Sequence, residues 1–238
     1  MQKEIPDSYP MRINKYLAFK KISTRRGADE LVKEKKIFIN GKLALLGSKV
    51  NEQDKVEVRD AKLKEYKYFA YNKPIGIETV SPKEGLFPLG RLDKNSHGLL
   101  ILTNDGRITD QLLNPKYFHE KEYAVKTSNK LRSNFKRKME AGVNIEGYMT
   151  KKCKVQIINP ARNASHSDAG GDFTFRITLT EGKKHQIRRM CSALFQEVAD
   201  LKRERIMNIK LGNLKLNAYR EIKGEELAIF LNQIFHQP

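Results

Sequence analysis

The sequence predicts an α+β fold in two parts: a small N-terminal module of helices and short strands, then a larger domain with a largely antiparallel β-sheet flanked by helices. Two observations carry this. After residue 67, short or alternating apolar runs outnumber segments of helical periodicity. A charged stretch poor in apolar side chains, 59–67, separates two regions that can each hold a core. The implied boundaries are 11–58 for the module, 59–67 for a linker and 68–238 for the larger domain. A chain of 238 residues can bury one good core plus a small appended one.

In the module, Met11 to Ala18 places Ile13, Tyr16 and Leu17 on one helical face. Ser23 or Thr24 can cap a second helix from about Arg25 to Glu34. Ile37-Phe38-Ile39 then runs into an Asn40-Gly41 hairpin turn, and Val56-Glu57-Val58 alternates as a closing strand. In the larger domain, Tyr68 to Lys73 is a strand that must stop at Pro74. Leu99 to Leu102 is a buried strand leading to an Asp105-Gly106 turn, and Lys121 to Val125, Phe173 to Leu179 and Ile209 to Leu216 add strands. Helices are expected over Ile108–Leu113, Leu131–Ala141, Gln186–Phe195 and Gly224–Phe235. Ala161 to Asp172, rich in Asn, Ser, Asp and Gly, reads as a mobile loop, in which Asn163-Ala164-Ser165 formally fits a glycosylation acceptor.

Charge points to a partner. Forty-six Lys and Arg against 28 Asp and Glu give a net charge of +18, as expected of a protein that contacts phosphates, although a membrane surface or an acidic protein would attract it too. Arg12, Lys15, Arg25, Arg26, Lys33 and Lys36 form a basic face over the module's core. Spacing alone leaves nucleic-acid contact and plain solvation both open there. No stretch approaches the roughly 20 apolar residues of a membrane span, and Met1–Pro10 lacks the apolar core of a secretory signal, so a cytoplasmic location is expected. Cys153 and Cys191 have no CxxC partner and read as buried thiols. The five histidines, His97, His119, His166, His185 and His236, lack metal-ligand spacing, and no glycine-rich phosphate loop is present. Neither a metal nor a cofactor is expected.

The chemistry concentrates at Gly90-Arg91-Leu92-Asp93, followed by Ser96, Gly98, Leu99-Leu100 and Thr103-Asn104-Asp105-Gly106. Gly90 and Gly98 bracket a loop that can aim the Asp93 carboxylate into a cleft. From composition alone, an Arg91–Asp93 structural ion pair and a catalytic carboxylate are equally good readings. Further on, Lys183, Lys184, Arg188 and Arg189 surround Gln186-Ile187 at a helix start. Cations crowd an end that already carries partial positive charge, an awkwardness relieved if Asp93 or a substrate phosphate sits there.

Together with Asn72-Lys73-Pro74-Ile75-Gly76, Lys121-Glu122-Tyr123 and Gly182 to Cys191 in the same order, this signature resembles the RsuA-like pseudouridine synthases. Lys151 to Val155, Phe175 to Leu179 and Arg205 to Asn208 look most like the large-subunit synthase F branch. The N-terminal module resembles an S4 RNA-binding domain. The resemblance covers about residues 11–235. It implies Asp93 as the catalytic carboxylate, Tyr123 as the residue lying against the target base, and Arg188 as the arginine that pairs with Asp93 and holds it ionised. Ile187 would pack beneath the base, with Arg91, Lys184, Gln186 and Arg189 around the substrate. An isolated strand tyrosine is more often core than catalytic, so Tyr123 rests on the resemblance. The turn at Pro74 and Gly76 reads as a plain loop corner, and His97 as facing solvent.

The expected partner is ribosomal RNA of the large subunit, with a tRNA anticodon-loop uridine as the nearest alternative, and a monomer is expected. An S4-type RNA-binding or ribosome-assembly protein without activity is the reading from a different class. A pure binder has no need of Asp93, Tyr123 and Arg188 together.

Overall fold

The structure, a computed structural model, describes residues 9–20, 22–59, 65–158 and 174–235 of the chain. The expected loop at 161–172, most of the expected linker, His166, Phe173 and His236 lie outside the described residues. The chain divides into two compact units, one of 9–66 with 105–108, the other of 67–104 with 109–235.

The first unit has the strands β1 (Met11–Arg12), β2 (Ile37–Ile39), β3 (Lys42–Leu43), β4 (Lys49–Val50) and β5 (Val56–Val58) and the helices α1 (Ile13–Phe19) and α2 (Arg25–Lys33). Ile13, Leu17, Ala28, Val32, Ile37, Ala44 and Val50 form its core, with Tyr16 packed against them. Thr24, not Ser23, caps α2: its Oγ1 accepts from Gly27 N at 2.9 Å. Asn40 and Gly41 both take positive φ, 50° and 75°, as a tight hairpin turn requires. Met11 and Arg12, expected at the start of α1, instead pair with Val50 and Lys49 of β4. Strands of two residues leave too little alternation to be read in advance.

In the second unit the strands are β6 (Tyr68–Lys73), β7 (Phe87–Leu89), β8 (His97–Thr103), β9 (Lys121–Thr127), β10 (Asn144–Ile145), β11 (Tyr148–Met149), β12 (Lys154–Ile158), β13 (Thr174–Leu179), β14 (Val198–Ile206), β15 (Ile209–Lys210) and β16 (Tyr219–Glu221). The helices are α3 (Thr109–Leu113), α4 (Phe135–Glu140), α5 (Gln186–Ala193) and α6 (Gly224–Phe235). One nine-stranded sheet runs β12-β13-β9-β14-β8-β6-β16, with β15 beside β14 and β7 beside β8. Among the described residues its pairings are antiparallel except β14 with β8. Leu99 to Leu102 have no exposed surface, which explains their continuous apolar run. Val125, Phe135, Met139, Phe175, Ile177, Met190 and Cys191 belong to one core cluster, under α4 and α5.

Several expectations change. The expected strand over 209–216 shrinks to β15, and Asp105-Gly106 leads into a 3₁₀ turn, Gly106–Ile108. The expected helices at 131–141 and 186–195 shorten to α4 and α5. His97 does not face solvent: its Nε2 lies 3.0 Å from Asp200 Oδ1 across the sheet. Cys191 is buried, and Cys153 is partly buried and donates its Sγ hydrogen to Met139 O at 3.2 Å. Burial pushes both thiols up to about 12, so neither is a ready nucleophile.

The parallel crossing of β8 and β14 depends on one glycine. Gly98 has φ +101°, and a Cβ there would collide with the backbone oxygen of Arg203. Gly98→Ala should therefore cost more than about 2 kcal/mol, through backbone strain and steric displacement together. Urea unfolding checks this, with Gly47→Ala as the comparison, where φ is also positive but the Cβ meets open space.

Candidate active site

Asp93 sits in the loop between β7 and β8, and every carbonyl around it is held. Arg203 Nη1 donates to Arg91 O at 3.3 Å. Thr79 Oγ1 donates to Leu92 O at 2.5 Å and accepts from Leu92 N at 3.0 Å. Ser96 N donates to Asp93 O at 2.9 Å, and Gly76 N to Lys94 O at 2.8 Å. Arg188 Nη2 donates to Asn95 O at 2.8 Å. The turn at Pro74 and Gly76 is thus a buttress of the carboxylate loop, more than the plain corner expected. Lys73 secures that buttress: its buried ammonium donates to Pro74 O at 2.9 Å and to Ile77 O at 2.8 Å. Burial lowers its pKa, opposed by the carboxylates of Glu78 and Asp93.

A cleft of about 440 Å³ opens beside this loop. Its floor is one face of the sheet, because Lys121 and Tyr123 on β9 sit in register with Leu179 and Ile177 on β13, and Arg203 on β14 pairs with Tyr123. The walls include Arg91, Asp93 and Ser96 of the loop, Leu112 and Leu113 of α3, and residues 183–187 leading into α5. Apolar Leu and Ile surround a few polar groups, as expected of a site for a flat, partly apolar ligand.

The structure brings Arg91, Asp93, Tyr123, Lys184, Gln186 and Ile187 to this cleft. Gln186 is committed, since its Oε1 accepts from Lys183 N at 2.9 Å and its Nε2 donates to Glu181 Oε1 at 2.6 Å. It fixes the start of α5 more than it offers hydrogen bonds to a ligand. Arg188 departs from the expected pairing: no ion pair joins it to Asp93, and its guanidinium binds the carbonyls of Asn95 and Val198. It aims the carboxylate through the loop instead of touching it. Arg189 does not line the cleft at all. Its Nε donates to Glu146 Oε1 at 3.1 Å and its Nη2 reaches Ile145 O at 3.3 Å, so the two adjacent arginines point to different elements.

The group that meets Asp93 is His185, whose Nε2 lies 3.4 Å from Asp93 Oδ1. His185 stands at the N-cap of α5 with φ 53°, so the turn that starts the helix delivers its ring to the carboxylate. Sequence reasoning placed His185 in the right motif but gave it no role. Arg203 was missed outright. It is 2% exposed, clamps Leu99 O at 2.7 Å and Arg91 O, and lies with its Cζ 6.0 Å from the Tyr123 ring centroid. In Lys202-Arg203-Glu204-Arg205 charged side chains alternate on both faces, so patterning did not mark which one turns inward.

In the first unit, Arg12, Arg25, Arg26 and Lys33 are exposed and Lys15 half-buried, while Lys36 pairs with Glu34 at 2.5 Å. Among the described residues no group of acidic, His or Cys side chains is arranged to hold a metal ion.

A largely antiparallel sheet presents the rigidly held Asp93 carboxylate at a mostly apolar cleft, and comparison with known proteins shows which family uses this arrangement. Residues 67–193 match the family model for RNA pseudouridylate synthase, and 11–56 match the S4 domain. The chain belongs to the RNA pseudouridylate synthase family, with an S4 domain ahead of the synthase domain. Within it, the chain is 38% identical over 241 residues to the dual-specificity RNA pseudouridine synthase RluF of Escherichia coli K12, spanning 94% of this chain and 79% of that protein. It is 32% identical over 234 residues to the ribosomal large subunit pseudouridine synthase B of Bacillus subtilis, spanning 91% and 93%. A crystal structure of a pseudouridylate synthase superposes with a TM-score of 0.65 at 26% identity, covering 92% of this chain and 98% of that one. A silent RNA binder is thereby set aside: the protein is an isomerase acting on RNA.

The contacts separate the two arginines experimentally. Arg188→Met should slow turnover by about 100-fold through a loosened Asp93 loop, whereas Arg189→Met should change it by less than about threefold. Single-turnover rates of the two variants at saturating RNA check this.

Proposed function

We propose that this protein converts a uridine of large-subunit ribosomal RNA to pseudouridine, with Asp93 as the reacting carboxylate. The observation that carries the reading is the Asp93 loop, five carbonyls of which are satisfied by its surroundings, aimed at a cleft floored by Tyr123. The relatives' names support the RNA class: one is a large-subunit synthase, the other a dual-specificity enzyme. A tRNA anticodon-loop uridine is the second substrate to test.

The reaction breaks the bond between uracil N1 and ribose C1′, turns the base, and joins C5 to C1′; the C5 proton leaves and N1 gains one, so no external reagent is consumed. A paired uridine cannot offer that bond to a side chain, so the nucleotide must flip into the cleft. Tyr123 then lies against the base, with Ile187 beneath it. Asp93 acts as nucleophile at C1′ or as base toward the sugar, and either role needs the ionised form. Arg188 and Arg203 supply the aim and His185 the polar neighbour. Arg91 and Lys184 at the exposed wall suit the backbone phosphates.

The module at 11–58 holds RNA by phosphate and shape, through Arg12, Arg25 and Arg26 above all, with 59–67 as linker and 68–238 as the catalytic domain. No helix among the described residues is long and apolar enough to cross a membrane. A cytoplasmic monomer completes the proposal.

Asp93→Asn removes the charge and little shape. It should abolish tritium release from C5-labelled uridine in ribosomal RNA while leaving RNA affinity within about threefold; binding lost in parallel with activity would contradict the role. For the module, Arg25→Ala with Arg26→Ala should reduce the slope of log affinity against log salt by about two, measured by filter binding across a salt series.

A further inference from the structure

The floor of the cleft holds two buried cations with no carboxylate partner. Lys121 is 8% exposed and Arg203 2%. Neither forms an ion pair among the described residues. Lys121 Nζ has one hydrogen bond, to His119 O at 3.4 Å. Arg203 spends Nε and Nη1 on the carbonyls of Leu99 and Arg91, and leaves Nη2 buried and without a partner. Ser96 Oγ, lining the same cleft, is also buried and unpartnered. Burying two like charges side by side is costly, and buried polar atoms are normally satisfied. The site is therefore built for something electron-rich that arrives with the substrate.

We propose that Lys121 and Arg203, helped by Ser96 Oγ, bind a ring carbonyl of the flipped uracil and hold the negative charge that the ring carries once its bond to the ribose is broken. This rests on the uridine-isomerising reading of the cleft. When the C1′–N1 bond breaks, its electron pair stays with the ring and spreads from N1 onto the carbonyl oxygens. Donors fixed in advance at such an oxygen, in a site lined by Leu and Ile, stabilise it without reorganisation. When C5 bonds to C1′, N1 takes up a proton, C5 loses one, and the charge is gone. A backbone phosphate suits this floor less well. It is tied to the chain on both sides and is met by the exposed Arg91, Lys183 and Lys184 of the rim.

The pair differs in one useful respect. A guanidinium does not lose its proton in proteins, whereas burial and, secondarily, the charge of Arg203 lower the Lys121 pKa to about 8. His119, also buried beside Lys121, has its own protonation opposed by burial and by Lys121. Of the charged groups lining the cleft, the carboxylates Asp93 and Glu181 form no ion pair with Lys121, and Arg91, Lys183, Lys184 and His185 add only positive or neutral neighbours. The charge site is complete below pH 8 and half-dismantled above it.

The test compares wild type, Lys121→Met and Lys121→Arg in single-turnover tritium release from C5-labelled ribosomal RNA and tRNA between pH 6 and 10, with RNA affinity measured alongside. Lys121→Met should be about 100-fold slower with affinity within about twofold, because the charge is needed after binding. The wild-type rate should fall as pH rises through about 8, and Lys121→Arg should keep most of the rate and lose that decline. A Lys121→Met rate equal to wild type, or a loss matched by lost affinity, would overturn the charge site alone. If Lys121→Met does not fold, a wild-type rate unchanged up to pH 10 would overturn it. No release from wild type on either RNA would overturn the isomerase reading and the charge site with it.

Discussion

Five consecutive carbonyl oxygens, from Arg91 to Asn95, each accept a hydrogen bond, and the carboxylate between them inherits their rigidity. The donors come from four places in the fold: β14, the turn after β6, the loop itself and α5. A reacting group must be held within a fraction of an ångström, and a loop alone does not do that. Here the loop is made part of the scaffold. The β8–β14 crossing at Gly98 brings Arg203 beneath the loop.

The same geometry explains why cations crowd the site without pairing with the carboxylate. Arg188 through both Nη atoms and Arg203 through Nε and Nη1 donate to backbone oxygens, which orients them and leaves the carboxylate to His185 and the electrostatic reach of Lys73. Arg189 is drawn off to Glu146. A guanidinium with several carbonyl partners is a rigid strut as much as a charge. The cleft therefore presents cations to RNA that are anchored on backbone oxygens and not on Asp93.

Much of this was legible in the sequence, and the parts that were not share a cause. Asp93, Tyr123 and Ile187 stand in local motifs, and it was the family resemblance carried by those motifs that brought them to one cleft. The Asn40-Gly41 turn and the Pro74 strand end were equally local. What escaped were contacts across the sheet. Arg203 lies in a charged strand where periodicity does not distinguish inward from outward, a difficulty increased by the irregularity between Arg203 and Arg205. His97 finds Asp200 only because β8 and β14 run parallel, a pairing joined by a connection of about a hundred residues that no window can see. Arg188 was expected to meet Asp93 and instead meets the carbonyls of Asn95 and Val198, since a motif fixes which residue is present and not which of several nearby oxygens it meets.

The measurement that bears most directly on the account is a crystal structure of the wild-type protein bound to its ribosomal RNA segment. The account predicts the target uridine turned out of the RNA into the cleft, its base against Tyr123, its sugar beside Asp93, and the 91–95 backbone unmoved from the free protein. A uridine left stacked in the RNA with the cleft unentered, or an Asp93 loop that rebuilds itself on binding, would contradict it.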